Sequence, residues 1–443
     1  MQKKLLQKLA TIALLSFMLL IPLSMIEAQI GARSARQADV KRNIAESAAG
    51  PQTMIGPILA VRYRERVERR EKDEKRGHET VRQEIVDRTL LLPPQKLDIA
   101  GAARVETRSR GLYRAQLYHL ALQLNGSAAI PPRLGLDARR AIVDAEAFLV
   151  FGLGDLRGVE NDPEVTVNGQ VRHFAAGTAE LLAGSGLHIS LGSFDPATGG
   201  AYHFGLPLNL TGSERLALAP TANDTRLALK SDWPHPSFQG RFLPTQRTVT
   251  QEGFEAQWQV SHLARNFDNA LRAGAGSGET LDVSFIDPVN VYLKSERAVK
   301  YGLLFVVLTF AAFFLTEVMR RLAIHPMQYL LVGLALAIFF LLLIALSEHL
   351  NFMIAYGVSA TACVTLIGVY LAGVLGSLWR GMAFGAGIAA LYGVLYGVLL
   401  SEDNALLMGA VLLFAALGAT MLATRRIDWY RLGAHEPLNE MQA

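Results

Sequence analysis

The long apolar runs of this chain constrain its fold more than any other feature. Six stretches have the length, about 20 residues, that lets a helix cross the hydrocarbon core of a bilayer. One lies near the N-terminus and five follow one another after residue 297; they cover residues 9–26, 298–316, 327–346, 352–375, 382–400 and 405–423. This placement predicts a multi-pass helical membrane protein with a long segment, residues 27–297, inserted between the first two spans.

The composition agrees with a chain that is partly in a membrane and partly in water. Of the 443 residues, 51% are hydrophobic and 19% are charged, too apolar for an ordinary soluble protein and too polar for a wholly embedded one. The net charge of +4 is small for this length, so no nucleic-acid partner is predicted. The single cysteine, Cys363, excludes an intramolecular disulfide and a metal site with several cysteine ligands.

Basic residues predict the orientation of the chain. They flank alternate ends of the spans, whereas the connections "SEHLN" and "SEDN" contain no Lys or Arg. The flanking basic residues are Lys3, Lys4, Lys8, Arg320, Arg321, Arg380, Arg425, Arg426 and Arg431. Because short cytoplasmic segments carry an excess of Lys and Arg, both termini are predicted to be cytoplasmic and residues 27–297 to lie on the other side.

The first run has a second interpretation as a cleaved signal peptide, because basic residues precede it. Its apolar core is long, and Ile26 stands two residues before Ala28, where cleavage requires a small residue. An uncleaved anchor is therefore predicted. The chain then divides into a cytoplasmic N-terminus with its anchor (1–26), an external domain (27–297), a five-helix bundle (298–424) and a cytoplasmic tail (425–443).

Histidines stand on both sides of the third run. His325 and His349 are separated by 24 residues, or about 36 Å of helix, so they lie on opposite sides of the membrane and cannot share a metal ion. Pro326 suits the first turn of a helix, where its missing N–H costs nothing. The stretch "HPMQ" is therefore predicted to start a helix.

Four polar residues share the external side of the predicted bundle. Glu348 and His349 belong to the turn "SEHLN", and Glu402 and Asp403 belong to the turn "SEDN". They form a candidate outer-face cluster that could bind a cation, dock the external domain or respond to pH through His349. Solvated helix ends are the alternative interpretation.

The external segment has the pattern of a mainly antiparallel β domain. Residues 33–49 predict a short amphipathic helix that leaves the membrane and stops at Gly50-Pro51. Beyond it, apolar and polar residues alternate, and turn residues recur about every 8 to 12 positions, as in a sandwich. Asn168-Gly169 predicts a hairpin turn. The mixed charges of residues 62–84, centred on Arg69–Arg76, predict a solvated hairpin tip between strands near Ile58–Val67 and Ile85–Leu92, with a lipid-headgroup or partner contact as the alternative.

Two further patterns are candidate contact surfaces. In "SDWPHPSFQGRFLP", prolines flank His235, and Trp233 and Phe238 lie close by, which predicts either a rigid contact loop or a stiff edge segment that packs its aromatics. In the fifth run, small residues recur at every fourth position and predict a smooth ridge for helix packing, with the fourth run as the favoured partner. The ridge residues are Gly381, Gly385, Ala389, Gly393 and Gly397.

Patterns that would indicate catalysis or ion coupling do not occur in the sequence. It contains no H-E-x-x-H and no G-x-S-x-G, so neither a zinc hydrolase nor a nucleophile elbow is predicted. No charged residue or histidine lies near the middle of an apolar run, where coupled transporters usually carry one. No enzyme activity, cofactor or metal is therefore predicted.

The chain resembles the CreD family of bacterial inner-membrane proteins over nearly its whole length. The resemblance rests on the order of anchor, external domain and five spans, and on the stretches "GPILAV", "SDWPHPSFQGRFLP", "HPMQYLLVGLALAIFFLLLIALSEH" and "IDWY". It implies an inner-membrane location, a periplasmic domain, and a non-enzymatic part in envelope integrity and stress response, including altered β-lactam or colicin sensitivity. It implies no catalytic residues.

Two other functions stay open at this point. A transporter or flippase subunit would use the helices as a path and the external domain to capture a substrate. A periplasm-facing hydrolase would need a dyad such as Glu348 with His235. The partners expected under the preferred interpretation are the lipid bilayer and envelope or cell-wall proteins, with the oligomeric state unknown.

Overall fold

The computed structural model describes residues 2–72, 79–264, 279–285, 290–320, 324–400 and 405–425. The chain forms two compact units, a helical unit of residues 1–38 and 289–443 and a β-unit of residues 39–288. Five helices in the described residues are long and apolar enough to cross a membrane, and a shorter apolar helix covers Leu407–Leu422. The predicted fold class is confirmed. The predicted domain limits were set by where the chain enters and leaves the bilayer. The division into two units does not test them, and they stay predictions.

Eight helices occur in the described residues, and most follow the predicted apolar runs. They are α1 Gln2–Met18, α2 Leu20–Ser47, α3 Val291–Lys300, α4 Gly302–Arg320, α5 Pro326–Ser347, α6 Phe352–Val374, α7 Leu378–Leu400 and α8 Ala405–Thr424. Serine and threonine side chains in them bond back to carbonyls of the preceding turn, as Ser359 does to Ala355 at 2.8 Å. Such bonds satisfy hydroxyls that face a medium without water.

The N-terminal helices differ from the prediction in where they break. α1 ends at Met18 because Pro22, four residues later, has no N–H to donate to the Met18 carbonyl and its ring crowds that group. From Leu20 the helix continues to Ser47 without a second interruption. The prediction that a separate helix starts near residue 33 is therefore wrong. The predicted end just before Gly50-Pro51 agrees with the end of α2 at Ser47.

The start of α5 confirms the interpretation of "HPMQ". The His325 side chain accepts a hydrogen bond from the Met327 N–H at 3.2 Å, and the Gln328 side chain accepts one from the His325 N–H at 3.1 Å. This reciprocal pair is a capping box, and Pro326 occupies the first turn. The His325 side chain thus caps the N-terminus of α5.

The described part of the β-unit contains two eight-stranded sheets. The strands are β1 Gln52–Lys72, β2 Glu79–Leu92, β3 Lys96–Arg110, β4 Tyr113–Ile130, β5 Ala141–Leu153, β6 Glu164–Val167, β7 Gln170–His173, β8 Ala175–Ala176, β9 Gly186–Ser193, β10 Gly200–Ser213, β11 Arg215–Ala219, β12 Asp224–Ser231, β13 Pro236–Gly240, β14 Gln246–Thr250, β15 Gly253–Ser261 and β16 Leu281–Phe285. The first sheet has the order β13-β16-β11-β1-β5-β9-β8, with β2 paired to β1, and the second has the order β14-β15-β12-β3-β4-β10-β6-β7.

Most strand pairs are antiparallel, and both hairpins expected from local sequence are present. β1 and β2 pair from Leu59–Leu92 to Lys72–Glu79, so the predicted charged hairpin is present, but its charged residues from Arg62 to Lys72 lie within β1 and not in a tip; residues 73–78 lie outside the described residues. Asn168 and Gly169 have positive φ angles of 49° and 79°, as the tight turn between β6 and β7 requires. Parallel pairing occurs between β1 and β11 and between β3 and β12.

One hydrophobic core joins the two sheets. Alternate residues of β3, β4 and β10 from one sheet, and of β1 and β5 from the other, point into it and are buried. Large rings complete it, among them Tyr118 against Phe285 with ring centroids 4.8 Å apart. Burial of each such aliphatic or aromatic side chain contributes roughly 1.5–3 kcal/mol, which makes this shared core the main stabilising feature of the unit.

Candidate functional site

Glu348, a member of the predicted outer-face cluster, directly follows α5 and is bound by two other helices. Its Oε1 lies 3.2 Å from the guanidinium of Arg33 in α2, and it accepts a hydrogen bond from the Tyr292 hydroxyl of α3 at 3.1 Å. Only 7% of the Glu348 side chain is exposed. Its carboxylate therefore connects three helices.

The other members of that cluster are less closely involved. His349 is exposed, and its backbone N–H donates to the Leu346 carbonyl at 3.0 Å. Glu402 and Asp403 lie outside the described residues. Among the residues that the structure describes, no three His, Cys, Asp or Glu side chains are grouped closely enough to hold a metal ion. The four-residue cluster stays a prediction.

A second buried carboxylate, which sequence reasoning missed, lies at the other end of α5. Glu317, near the end of α4, accepts hydrogen bonds from the Lys8 ammonium, from the Tyr329 hydroxyl at 2.8 Å and from the Ile324 N–H at 3.1 Å. Its side chain is 7% exposed. The sequence signal for this site was a carboxylate directly after the apolar run 298–316. Lys8 had already been interpreted as a basic residue that marks the cytoplasmic end of the first run.

These two ion pairs attach the N-terminal helices to the rest of the helical unit. Lys8 and Arg33 are 25 residues apart, or about 38 Å along a helix, which exceeds the hydrocarbon thickness of a bilayer. Between them Leu19, Leu23, Ile26 and Ile30 are buried. A Cβ at Gly333 of α5 would lie 2.2 Å from Leu19 Cδ1, so this glycine makes room for the side chain. The predicted anchor is thus a packed member of the unit.

The predicted glycine ridge of α7 divides into two parts. A Cβ at Gly381 would lie 2.6 Å from the Ala372 Cα, and one at Gly385 would lie 3.7 Å from the Gly368 Cα, so this part lies against α6. Gly393 has nothing within 4 Å of its Cβ position, and Gly397 faces Met408 of α8 at 3.0 Å.

An open groove of about 410 Å³ accompanies the second part of the ridge. It lies between α6 and α7 and is lined by Ala389, Gly393 and three tyrosines. The Tyr356 hydroxyl donates to the Tyr392 carbonyl at 2.6 Å, and the Tyr392 hydroxyl donates to Cys363 Sγ at 3.2 Å. The ring of Tyr396 packs against that of Tyr356 at a tilt of 47°, with centroids 5.0 Å apart. The helices thus separate here around hydrogen-bonded tyrosines.

The predicted contact loop lies at the edge of a sheet. β13 is the last strand of its sheet, as expected for a segment between prolines. Phe238 is half-buried and meets Phe254 and Trp258 edge-on at 5.5 and 5.8 Å. Trp233 Nε1 donates to the His235 carbonyl at 3.1 Å, and the His235 side chain is exposed. Whether this loop contacts a partner stays a prediction.

One polar cluster of the β-unit was also missed, because its members come from separate segments. His119 Nδ1 lies 2.6 Å from Glu160 Oε1, and its Nε2 lies 3.6 Å from Glu106 Oε2. Hydrogen bonds from Thr211 and then from His119 lower the pKa of Glu160 below its usual value. The arrangement holds a carboxylate ionised at the protein surface.

Together these features define a multi-pass membrane protein with a large β-unit inserted after its N-terminal helices. The family model described as "Inner membrane protein CreD" matches residues 4–430. A curated relative, Inner membrane protein CreD of Escherichia coli (strain K12), is 36% identical over 417 residues, which cover 93% of this chain and 91% of the relative. The chain therefore belongs to the CreD family of inner-membrane proteins.

Similarity to solved structures is weak. An M1 zinc metallopeptidase from Deinococcus radiodurans aligns with a TM-score of 0.20 and 10% identity, over 44% of this chain and 42% of that one. A similarity of this size carries no argument about fold or activity.

Proposed function

We propose that this inner-membrane protein supports the integrity of the bacterial cell envelope and its stress response, without catalysing a reaction, through its β-unit. The observation that carries the proposal is the family match over residues 4–430, which includes the β-unit as well as the helices. Altered sensitivity to colicins and β-lactams is the expected phenotype. Envelope or cell-wall proteins are the expected partners, and the bilayer surrounds the helices.

The proposed orientation puts both termini in the cytoplasm and residues 27–297 in the periplasm. It is supported by the basic residues at alternate span ends. Lys8 meets Glu317 beside the start of α5, and Arg33 meets Glu348 at its end; in the proposed orientation these pairs lie near the cytoplasmic and the periplasmic surface of the membrane, respectively.

The non-catalytic role is supported by the ion pairs that buried carboxylates form with Arg and Lys side chains. A general acid or base must be able to exchange a proton with a substrate. In the described residues, buried carboxylates that could have such a role are instead engaged by Arg or Lys; they are Glu65, Glu279, Asp282, Glu317 and Glu348. Such pairs are typical of structural clamps.

A transporter or flippase subunit is the second candidate. One observation favours it: the groove between α6 and α7 opens beside Tyr356 and Tyr392, which bring polar groups into apolar helices. Uptake or lipid translocation by the reconstituted protein would support this candidate over the first.

The first experiment is to delete the gene and measure growth under β-lactam, detergent and colicin challenge. Complementation uses the wild type, His235→Ala in the predicted contact loop, and His173→Ala as a matched exposed histidine of the same unit. We expect the wild type and His173→Ala to restore resistance and His235→Ala to restore less. A deletion that changes none of the three phenotypes would overturn the proposal.

A second experiment tests orientation with a membrane-impermeant maleimide. Cys363 is buried, so single cysteines introduced at Ser109 in β3 and Ser377 between α6 and α7 can be compared directly. We expect Ser109→Cys to react in spheroplasts and Ser377→Cys to react only after lysis. The reverse pattern would place the β-unit in the cytoplasm.

A further inference from the structure

A long groove runs between α2 and α5 in the helical unit. Its volume is about 830 Å³, and its walls are mainly apolar. Met25 of α2 and Ile338 and Leu341 of α5 line it and keep 66%, 57% and 45% of their surface exposed. Because α1 and α2 together (Leu6–Ser47) and α5 are each long and apolar enough to span a membrane, we infer that the apolar part of this groove faces the hydrocarbon of the bilayer.

The groove has the length of one membrane leaflet. Along α2 it extends from Pro22 to Arg33, 11 residues or about 17 Å of helix. Half of a hydrocarbon core of about 30 Å is roughly 15 Å. An acyl chain of the surrounding leaflet can therefore lie along the apolar part of the groove, while the polar end at Arg33 lies at the level of the headgroups.

The chemistry changes at one end of the groove. There Arg33 and His349 line it together with Glu348 and Gln29. Glu348 is 7% exposed and turned into its ion pair, whereas 44% of the Arg33 side chain stays exposed beyond that contact. His349 is exposed as well. The accessible groups at this end are therefore donors, and guanidinium and imidazole donors suit the oxygens of a phosphate.

We propose that this α2–α5 groove binds one glycerophospholipid, with an acyl chain against Met25, Ile338 and Leu341 and the phosphate at Arg33 and His349. The apolar walls of the groove are followed by hydrogen-bond donors at one end, just as the acyl chain of a phospholipid is followed by its phosphate. Basic pockets between membrane helices bind lipid headgroups in other membrane proteins, chiefly on the cytoplasmic side. The inference does not depend on the proposed envelope function.

The test uses the purified full-length protein in mild detergent and measures retained phospholipid by native mass spectrometry. Ile338→Trp fills the groove, and Leu366→Trp is the matched control, because Leu366 is an apolar residue of α6 outside the groove with a similar exposure of 62%. We expect the wild type and Leu366→Trp to retain phospholipid and Ile338→Trp to lose it. His349→Ala should retain it about ten-fold less or lower still, the size expected for one hydrogen bond to a charged group.

Equal retention by the two tryptophan variants would overturn the proposal, since the lipid would then be only part of the general shell. Unchanged retention by both His349→Ala and Arg33→Lys would overturn the headgroup assignment. A dimer that Ile338→Trp dissociates would instead assign the groove to a second copy of the chain. If Ile338→Trp unfolds at a lower temperature than Leu366→Trp, Met25→Trp serves as the second groove-filling variant with the same expected loss.

Discussion

The two halves of the helical unit differ in how closely their helices approach one another. In the half that contains Glu317 and the start of α5, Gly381 and Gly385 bring α7 against the backbone of α6. In the half that contains Glu348, α6 and α7 separate at Gly393, and the α2–α5 groove opens beside Arg33. In the Glu317 half, small residues let the helices pack closely together. In the Glu348 half, grooves remain between the helices at the surface of the unit.

The two ion pairs follow the same division. Lys8 is 26% exposed and also donates to the Ile324 carbonyl at 3.0 Å, so the Glu317 pair is enclosed. Arg33 is more exposed and borders a groove. Two similar carboxylate–cation pairs can therefore have different roles, because their surroundings decide whether the cation can also contact a ligand. We infer that the Glu317 half fixes the helices and the Glu348 half is where a membrane ligand can lie.

The largest expected effect comes from removing the enclosed cation. Lys8→Met would leave the buried Glu317 carboxylate without its counter-charge, and we expect the free energy of unfolding to fall by about 3 kcal/mol. Arg33→Met should cost less, about 1 kcal/mol, because Arg33 is 44% exposed against 26% for Lys8, so solvent screens its charge more. Unfolding by SDS in mixed micelles measures both.

The double variant Lys8→Met/Glu317→Leu is the control, since removing both charges should restore most of the lost stability. Equal losses for Lys8→Met and Arg33→Met would break the comparison between the two halves.

A smaller effect is expected from the glycine ridge. Gly381→Ala would press a methyl group against the Ala372 backbone, and we expect a destabilisation of about 1–3 kcal/mol. Gly393→Ala meets open space and should be neutral or stabilise the helix by up to about 1 kcal/mol, because alanine favours helix more than glycine does. The same SDS titration compares them, and a large loss for Gly393→Ala would show that a partner covers the open half.

The smallest effect concerns a third ion pair, in the β-unit, which differs from the first two in being open to water. Asp155 pairs with Arg157 and accepts a hydrogen bond from the Gly50 N–H at 3.0 Å; the Arg157 hydrogen bond, followed by that from Gly50, lowers the pKa of Asp155 to about 2. A lowered folded-state pKa gives stability that is present above pH 4 and lost as the pH falls toward 2. Asp155→Asn should therefore cost about 1–2 kcal/mol at pH 7.

That cost should shrink below about pH 4, where the wild type begins to lose the same contribution. Urea unfolding followed by the tryptophan fluorescence of the β-unit, at pH 7 and pH 3, gives the two differences. A difference that is the same at both pH values would assign the effect to packing rather than to charge.

The sequence by itself determined the local elements and the class of protein. Span length, the capping residues at His325-Pro326 and the turn at Asn168-Gly169 act through neighbours in the chain, so they are visible without a fold. It did not reveal the uninterrupted continuation of α2 to Ser47, because the change from apolar to polar residues marks the end of a membrane span and not the end of a helix.

Only the tertiary structure decided which remote groups meet. Lys8 and Glu317 are 309 residues apart, Arg33 and Glu348 are 315 apart, and the parallel pair of β1 and β11 joins distant segments in the same way. Local periodicity constrains which face of an element is apolar but not which element it packs against. The two grooves, the enclosed carboxylate and the cluster at His119 therefore depend on packing between elements that the sequence pattern leaves unpaired.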